Sequence, residues 1–112
     1  SFLELVQKSL ESIPEYDIHQ VKNKLDNKEK FYLVDVREDS EWREGNIPNS
    51  IHIGKGVIER DITQIIPDKG AEIVLYCQGG FRSALAGESI QKMGYTNVFS
   101  MSGGYSDWVN NN

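Results

Sequence analysis

Three short apolar runs constrain this chain more than any other feature. They are Phe31-Tyr32-Leu33-Val34-Asp35-Val36, Ile73-Val74-Leu75-Tyr76 and Asn97-Val98-Phe99-Ser100-Met101. The first is continuous rather than alternating, which predicts a strand covered on both faces. The second is wholly apolar and reads as a buried strand. The segments between the runs place apolar residues at helical spacing. Residues 57–66 direct Ile58, Ile62, Ile65 and Ile66 inward, and Ser83-Ala84-Leu85-Ala86 continues to Ile90 and Met93 before Gly94, a usual helix stop. Ser50-Ile51-His52-Ile53 is a further short strand candidate. Strands alternating with helices predict an α/β fold with a mostly parallel central sheet and helices on both faces. Such sheets bind ligands beyond the carboxyl ends of their strands.

The remaining segments complete one domain. Phe2, Leu3, Val6, Leu10 and Ile13 recur at three and four residue intervals, so the first dozen residues predict an amphipathic helix that Pro14 ends. This helix reads as a cap on the core. Asp17 and Gln20 form a capping-box pattern opening a second helix, with Ile18, Val21 and Leu25 on its apolar face and Asn27 as its stop. Residues 38–44 predict a short charged helical turn, stopped by Gly45, whose charges read as a solvated face. Pro67-Asp68-Lys69-Gly70 is a turn. Gly103-Gly104 leads a final helical turn through Trp108, and residues 110–112 read as a frayed tail. At 112 residues, without repeats or linkers, the chain has one core. The expected division is a helical extension over 1–14 and a single domain over 15–109.

Composition narrows the function classes. A net charge of −5 argues against general nucleic-acid affinity and against anchoring to an acidic membrane. No apolar run is long enough to span a bilayer. A single cysteine excludes an internal disulfide and a multi-thiolate metal site. His19 and His52 are separated, so no metal-ligating set is readable, and neither belongs to a Cys-His dyad pattern. A lone thiol suits a reducing compartment, which points to the cytoplasm. The chain starts at Ser1, and its sequence leaves open whether a targeting segment preceded it.

The chemistry concentrates at Cys77. It follows the most apolar strand and opens the loop Cys77-Gln78-Gly79-Gly80-Phe81-Arg82, after which Ser83 enters a helix. A strand, a glycine-bearing loop and a helix N-terminus form an anion cradle of backbone N–H groups, a setting that favours a thiolate. Gly79 and Gly80 let successive amides curl inward. Arg82 brings a fixed positive charge, and Ser83 can cap the helix or hydrogen-bond the sulfur. The alternative is a buried, inert cysteine. Phe81 sits at the loop rim, placed to shape access by apolar contact.

These residues resemble the rhodanese family. Cys77-Gln78-Gly79-Gly80-Phe81-Arg82-Ser83 resembles its active-site loop, C-x-x-G-x-R-S. Leu33-Val34-Asp35-Val36-Arg37-Glu38 resembles its D-x-R strand end. Glu41-Trp42-Arg43-Glu44-Gly45-Asn46-Ile47-Pro48-Asn49-Ser50 resembles E-[YFW]-x-x-G-H-I-P-x-A, and Gly103-Gly104-Tyr105-Ser106-Asp107-Trp108 resembles the closing G-G-x-x-x-W. The motifs follow the family's order, from about Tyr16 to Val109. Asn46 and Ser50 depart from the family's usual His and Ala. The opening helix is not part of the family core.

The resemblance implies a single rhodanese-like domain and a sulfurtransferase needing no cofactor. Cys77 would be the catalytic residue, taking a sulfane sulfur from a small anionic donor such as thiosulfate. A thiol, cyanide or a protein cysteine would then accept it. Gln78, Gly79, Gly80, Phe81, Arg82 and Ser83 would bind the substrate, with Arg82 attracting the anion. Asp35 and Arg37 would be a scaffold pair. Two other functions compete: a persulfide carrier or sensor serving a protein partner, which has the same loop, and a phosphatase or arsenate reductase. Cysteine phosphatases use C-x5-R, one residue longer than the spacing from Cys77 to Arg82, so the loop here fits a smaller, sulfur-centred group. Trp42 and Trp108 read as packing residues. Lys55 and Arg60 are candidates for positive potential near the cleft.

Overall fold

The computed structural model describes residues 1–111. The elements run α1 (Phe2–Leu10), β1 (Glu15–Tyr16), α2 (Ile18–Asp26), β2 (Tyr32–Asp35), α3 (Asp39–Glu44), β3 (Ile51–His52), a 3-10 turn (Lys55–Val57), α4 (Ile58–Ile65), β4 (Ile73–Tyr76), α5 (Phe81–Gln91), β5 (Val98–Met101) and α6 (Gly104–Asn110). The strands form one sheet in the order β1-β5-β4-β2-β3, with every pairing parallel. β4, the strand that delivers Cys77, is in the middle.

Its side chains alternate between two apolar layers, as the strand period requires. Ile73, Leu75 and Cys77 enter one layer with Ile13, Ile58, Ile62, Ala86 and Ile90, so α1, α4 and α5 cover that face. Val74 and Tyr76 enter the other with Ile18, Val21 and Met101, beneath α2 and α6. Burial on both faces is why β4 reads as a continuous apolar run.

Several elements differ from the expectations. β1 has two residues, too few to show a pattern, and exists because Glu15 and Tyr16 pair with Ser100 and Met101. α1 ends at Leu10, and its inward line is Val6 and Ser9, followed by Ile13 in the next turn. Phe2 and Leu3, expected on the apolar face, are 50% and 57% exposed because α1 touches the core along this narrow line only. That line lies close to α5, since a Cβ added to Gly87 would stand 3.2 Å from Ile13 Cγ2. Ile58, Ile62 and Ile66 are buried, but Ile65 is 43% exposed, to one side of that i, i+4 row. The capping box at Asp17 and Gln20 is present, and Asn27 is the C-cap. α6 extends beyond one turn to Asn110, with Asn111 as its cap, so only Asn112 of the expected frayed tail is left, and it lies outside the described residues. Among the described residues no helix is long and apolar enough to cross a membrane.

Candidate active site

Cys77 is the first residue beyond β4 and is 1% exposed. Its Sγ accepts hydrogen bonds from the amides of Gly80 at 3.2 Å and Ser83 at 3.4 Å. The Ser83 hydroxyl lies 3.5 Å from the sulfur and 2.7 Å from the Ser100 hydroxyl on β5. Ser83 therefore serves the sulfur, not a helix cap. The loop closes because Gly80 adopts φ +96°, where a Cβ would also press on Gly103 N at 3.2 Å and Met101 O at 3.4 Å. Gly79 is different: a Cβ there would meet nothing within 4 Å, so of the two glycines only Gly80 is sterically required.

The sequence reading missed what holds the loop from below. The Tyr105 amide donates to the Cys77 carbonyl at 2.8 Å and the Ser106 amide to the Gln78 carbonyl at 3.0 Å. A Cβ on Gly104, at φ +59°, would lie 2.5 Å from the Cys77 oxygen and 2.6 Å from the Gln78 oxygen. The Gly-Gly pair was legible as a motif, but its contact with the cysteine loop was not.

Arg82 does not present a free charge to the loop. Its guanidinium holds Glu41 of α3 with both nitrogens, Nη1–Oε1 at 2.7 Å and Nη2–Oε2 at 2.9 Å, each side chain about 30% exposed. These bonds carry the Glu41 carboxyl down to about 2, against the opposing effect of burial. The charged turn expected to be a solvated face thus contributes one carboxylate to the site.

Asp35 and Arg37 form a buried ion pair. Both are buried, at 0% and 2% exposed. Arg37 Nε reaches both Asp35 oxygens at 3.1 Å, its Nη2 reaches Oδ2 at 2.8 Å, and its amide donates to Oδ1 at 2.9 Å. Burial is the largest single influence and opposes the Arg37 charge, but the Asp35 hydrogen bonds and the nearby negative charges together outweigh it and the guanidinium pKa rises. The same guanidinium donates to the Gly45 carbonyl at 2.6 Å and to Gln78 Oε1 at 3.3 Å, and lies 4.3 Å from the Tyr105 ring centroid. One arginine thereby ties β2, the end of α3, the cysteine loop and α6 together. Gln78, expected to meet substrate, turns its side chain back to Arg37.

The two departures from the motif fit locally. Asn46 Nδ2 donates to the Trp42 carbonyl at 3.0 Å. The Ser50 hydroxyl donates to the Ile47 carbonyl at 2.6 Å, leaving it to accept from the Tyr76 hydroxyl at 2.9 Å. Burial raises the Tyr76 pKa, which keeps that phenol protonated. Trp42 stacks on His52 at 4.9 Å, and His52 Nε2 donates to the Arg37 carbonyl at 2.8 Å. Trp108 packs against the second apolar layer, and His19 is exposed.

Two cavities flank α3. One of about 210 Å³ is lined by Arg37, Glu41, Glu44, Gly45, Gln78 and Tyr105. One of about 540 Å³ is lined by residues that include Ser40, Arg43, Gly56 and Arg60. Arg60 faces that space but pairs with its neighbour Asp61 at 2.7 Å. Lys55 lies in the 3-10 turn and is not among the lining residues. Phe81 is 49% exposed at the loop rim.

Comparison with known proteins places this arrangement. A family model for the rhodanese-like domain matches residues 17–111. The chain is similar to the putative sulfurtransferase YtwF of Bacillus subtilis, 35% identical over 96 residues, which are 86% of this chain and 90% of that protein. It is also similar to the putative sulfur carrier protein YrkF of the same organism, 33% identical over 98 residues, 88% of this chain but only 52% of that longer protein. Among solved structures, a Rhodopseudomonas palustris protein of unknown function, described as a possible tyrosine phosphatase, matches with a TM-score of 0.90 at 27% identity, covering 99% of this chain and 90% of that one. The human single-domain sulfurtransferase TSTD1 matches with a TM-score of 0.78 over 88% of this chain and 97% of that one; at 23% identity this is a likeness of fold.

Proposed function

The chain belongs to the rhodanese-like domain family, and from that premise we propose that it is a sulfurtransferase working through a persulfide on Cys77. Residues 15–109 form the catalytic domain, to which residues 1–14 add a helix. The observation that carries the reading is the pair of amides, Gly80 and Ser83, donating to Cys77 Sγ at the end of the middle strand. They stabilise negative charge on the sulfur before and after transfer.

The thiolate of Cys77 attacks the outer sulfur of thiosulfate. A new S–S bond forms, the old one breaks, and sulfite departs with its electron pair. The cysteine persulfide anion then gives its terminal sulfur to an acceptor. Cyanide would leave as thiocyanate and regenerate the thiolate; a small thiol or a protein cysteine would leave as a persulfide. Two displacements on one residue predict ping-pong kinetics. No cofactor takes part. A lone catalytic thiol suits the cytoplasm, where such groups stay reduced.

A second reading has its own observation. Arg82 is engaged by Glu41, so its pull on a small free anion is weakened. That favours a carrier that takes its sulfur from a protein donor, and the similarity to YrkF agrees with it. The phosphatase reading has less support: the loop is one residue short of C-x5-R, and Glu41, the carboxylate beside it, is paired with Arg82.

Steady-state thiocyanate formation from thiosulfate and cyanide tests the first reading. Parallel double-reciprocal lines, with activity lost in Cys77→Ser, are expected. Activity retained in Cys77→Ser would overturn the mechanism. Slow loading by thiosulfate but fast loading by a cysteine desulfurase would favour the carrier.

A further inference from the structure

We propose that Phe2, on the N-terminal helix, is a specificity-determining residue of the Cys77 site, forming with Phe81 an apolar rim that favours sulfur donors bearing an aromatic substituent over bare thiosulfate. The proposal rests on the persulfide reading and names its substrate class: aryl thiosulfonates and donors of like shape.

Phe81 lies between the two residues whose amides reach Cys77 Sγ, Gly80 and Ser83. The backbone at 81 and 82 therefore travels around the sulfur. Phe81 is 49% exposed although it begins a well-packed helix. Phe2 meets it edge to face, ring centroids 6.4 Å apart and planes inclined by 70°, within the range of a favourable aromatic pair. Phe2 is itself 50% exposed. Two half-covered rings thus stand together at the loop that carries Cys77.

The position of Phe2 follows from the seating of α1. Val6, Ser9 and Ile13 are buried, and Ile13 lies against Gly87 on α5, the helix that Phe81 begins. The first turn of α1 is closed by the Ser1 hydroxyl, which accepts from the Glu4 amide at 3.3 Å. Phe2 also precedes the 17–111 match to the family model, so it lies outside the matched loop motif. The neighbouring cation, Arg82, is already bound to Glu41. A donor with an apolar body has two rings to cover, which bare thiosulfate does not use.

The chemistry balances as for thiosulfate. With benzenethiosulfonate, the Cys77 thiolate attacks the terminal sulfur, the S–S bond breaks, and benzenesulfinate leaves with the electron pair. Cyanide then removes the sulfur as thiocyanate.

The test is kcat/KM for benzenethiosulfonate, methanethiosulfonate and thiosulfate, with cyanide as acceptor. It uses the full chain and its Phe2→Ala, Phe2→Leu, Phe81→Ala and Phe2→Ala/Phe81→Ala variants. The wild type should prefer the aryl donor to the methyl one. Phe2→Ala should lower the benzenethiosulfonate-to-thiosulfate ratio by roughly three- to tenfold, Phe2→Leu by less, and the double variant by no more than Phe81→Ala alone. An unchanged ratio in both Phe2 variants, or an equal loss for all three donors, would overturn the proposal. Intact mass separates this failure from failure of the reading beneath it. If neither these donors nor a cysteine desulfurase adds a sulfur atom to wild-type Cys77, the persulfide mechanism falls; if sulfur is added and the ratios do not move, or if only the desulfurase adds it, the role of Phe2 falls.

Discussion

The site contains two arginine–carboxylate pairs of the same chemistry in different surroundings. Asp35–Arg37 is almost wholly buried, and Arg37 also binds Gly45 and Gln78. Glu41–Arg82 is about 30% exposed on both sides and joins α3 to the cysteine loop. The first ties backbone segments together with both side chains almost wholly buried, so removing one partner strands a charge. The second sits where solvent competes for both groups and contributes little to stability. The difference separates the pairs: the buried one ties the loop to its neighbours, and the exposed one offsets the positive charge of Arg82.

The largest effect should come from breaking the buried pair. Arg37→Ala leaves Asp35 unpaired in the core, an expected loss of about 3–5 kcal/mol, visible as a large fall in the unfolding midpoint. Arg82→Ala should shift that midpoint by no more than about 1 kcal/mol while raising the KM for thiosulfate. If both variants lost equal stability, the comparison would fail.

Next comes the support beneath the loop. Gly104→Ala drives a methyl group into the Cys77 and Gln78 carbonyl oxygens. Displacing the nucleophile by even about 1 Å should reduce kcat by roughly a hundredfold. Gly79→Ala, which meets nothing within 4 Å, should retain kcat, and sulfur-transfer assays of the two variants side by side check the contrast.

A smaller change should come from freeing Arg82. Glu41→Gln removes its ionic partner and should lower the KM for thiosulfate severalfold with little change in kcat. An unchanged KM would mean that Arg82 does not meet the donor.

The smallest effect is a pH dependence. The folded-state pKa of Glu41 is depressed to about 2 from an ordinary 4.5. Its contribution to stability is therefore fully present above about 4.5 and is lost as pH falls toward 2. The difference in unfolding midpoint between wild type and Glu41→Gln should be constant from pH 7 to 5 and shrink at more acid pH.

The order of legibility follows the range of the interactions. The apolar runs, the capping box at Asp17 and the glycine-bearing cysteine loop are local patterns, and each stands where the sequence reading put it. Asp35 and Arg37 are two residues apart on one strand end, so their pairing was readable. β1 was not, because its two residues owe their conformation to β5. The Glu41–Arg82 bond spans 41 positions, and nothing near Arg82 in the sequence indicates that its charge is engaged. Gly104 was visible as part of a motif, but the carbonyl oxygens it accommodates belong to residues far upstream. Phe2 was expected to face inward with Leu3; its exposure follows from how narrowly α1 is seated on α5.

The central claim is that Cys77 carries the transferred sulfur, and intact mass after incubation with thiosulfate tests it most directly. Wild type should gain one sulfur atom, lose it again on adding cyanide, and show the modification at Cys77 in the peptide map, while Cys77→Ser gains nothing. A wild-type protein that stays unmodified by thiosulfate and by a cysteine desulfurase alike, although Cys77 alkylates readily, would contradict the account.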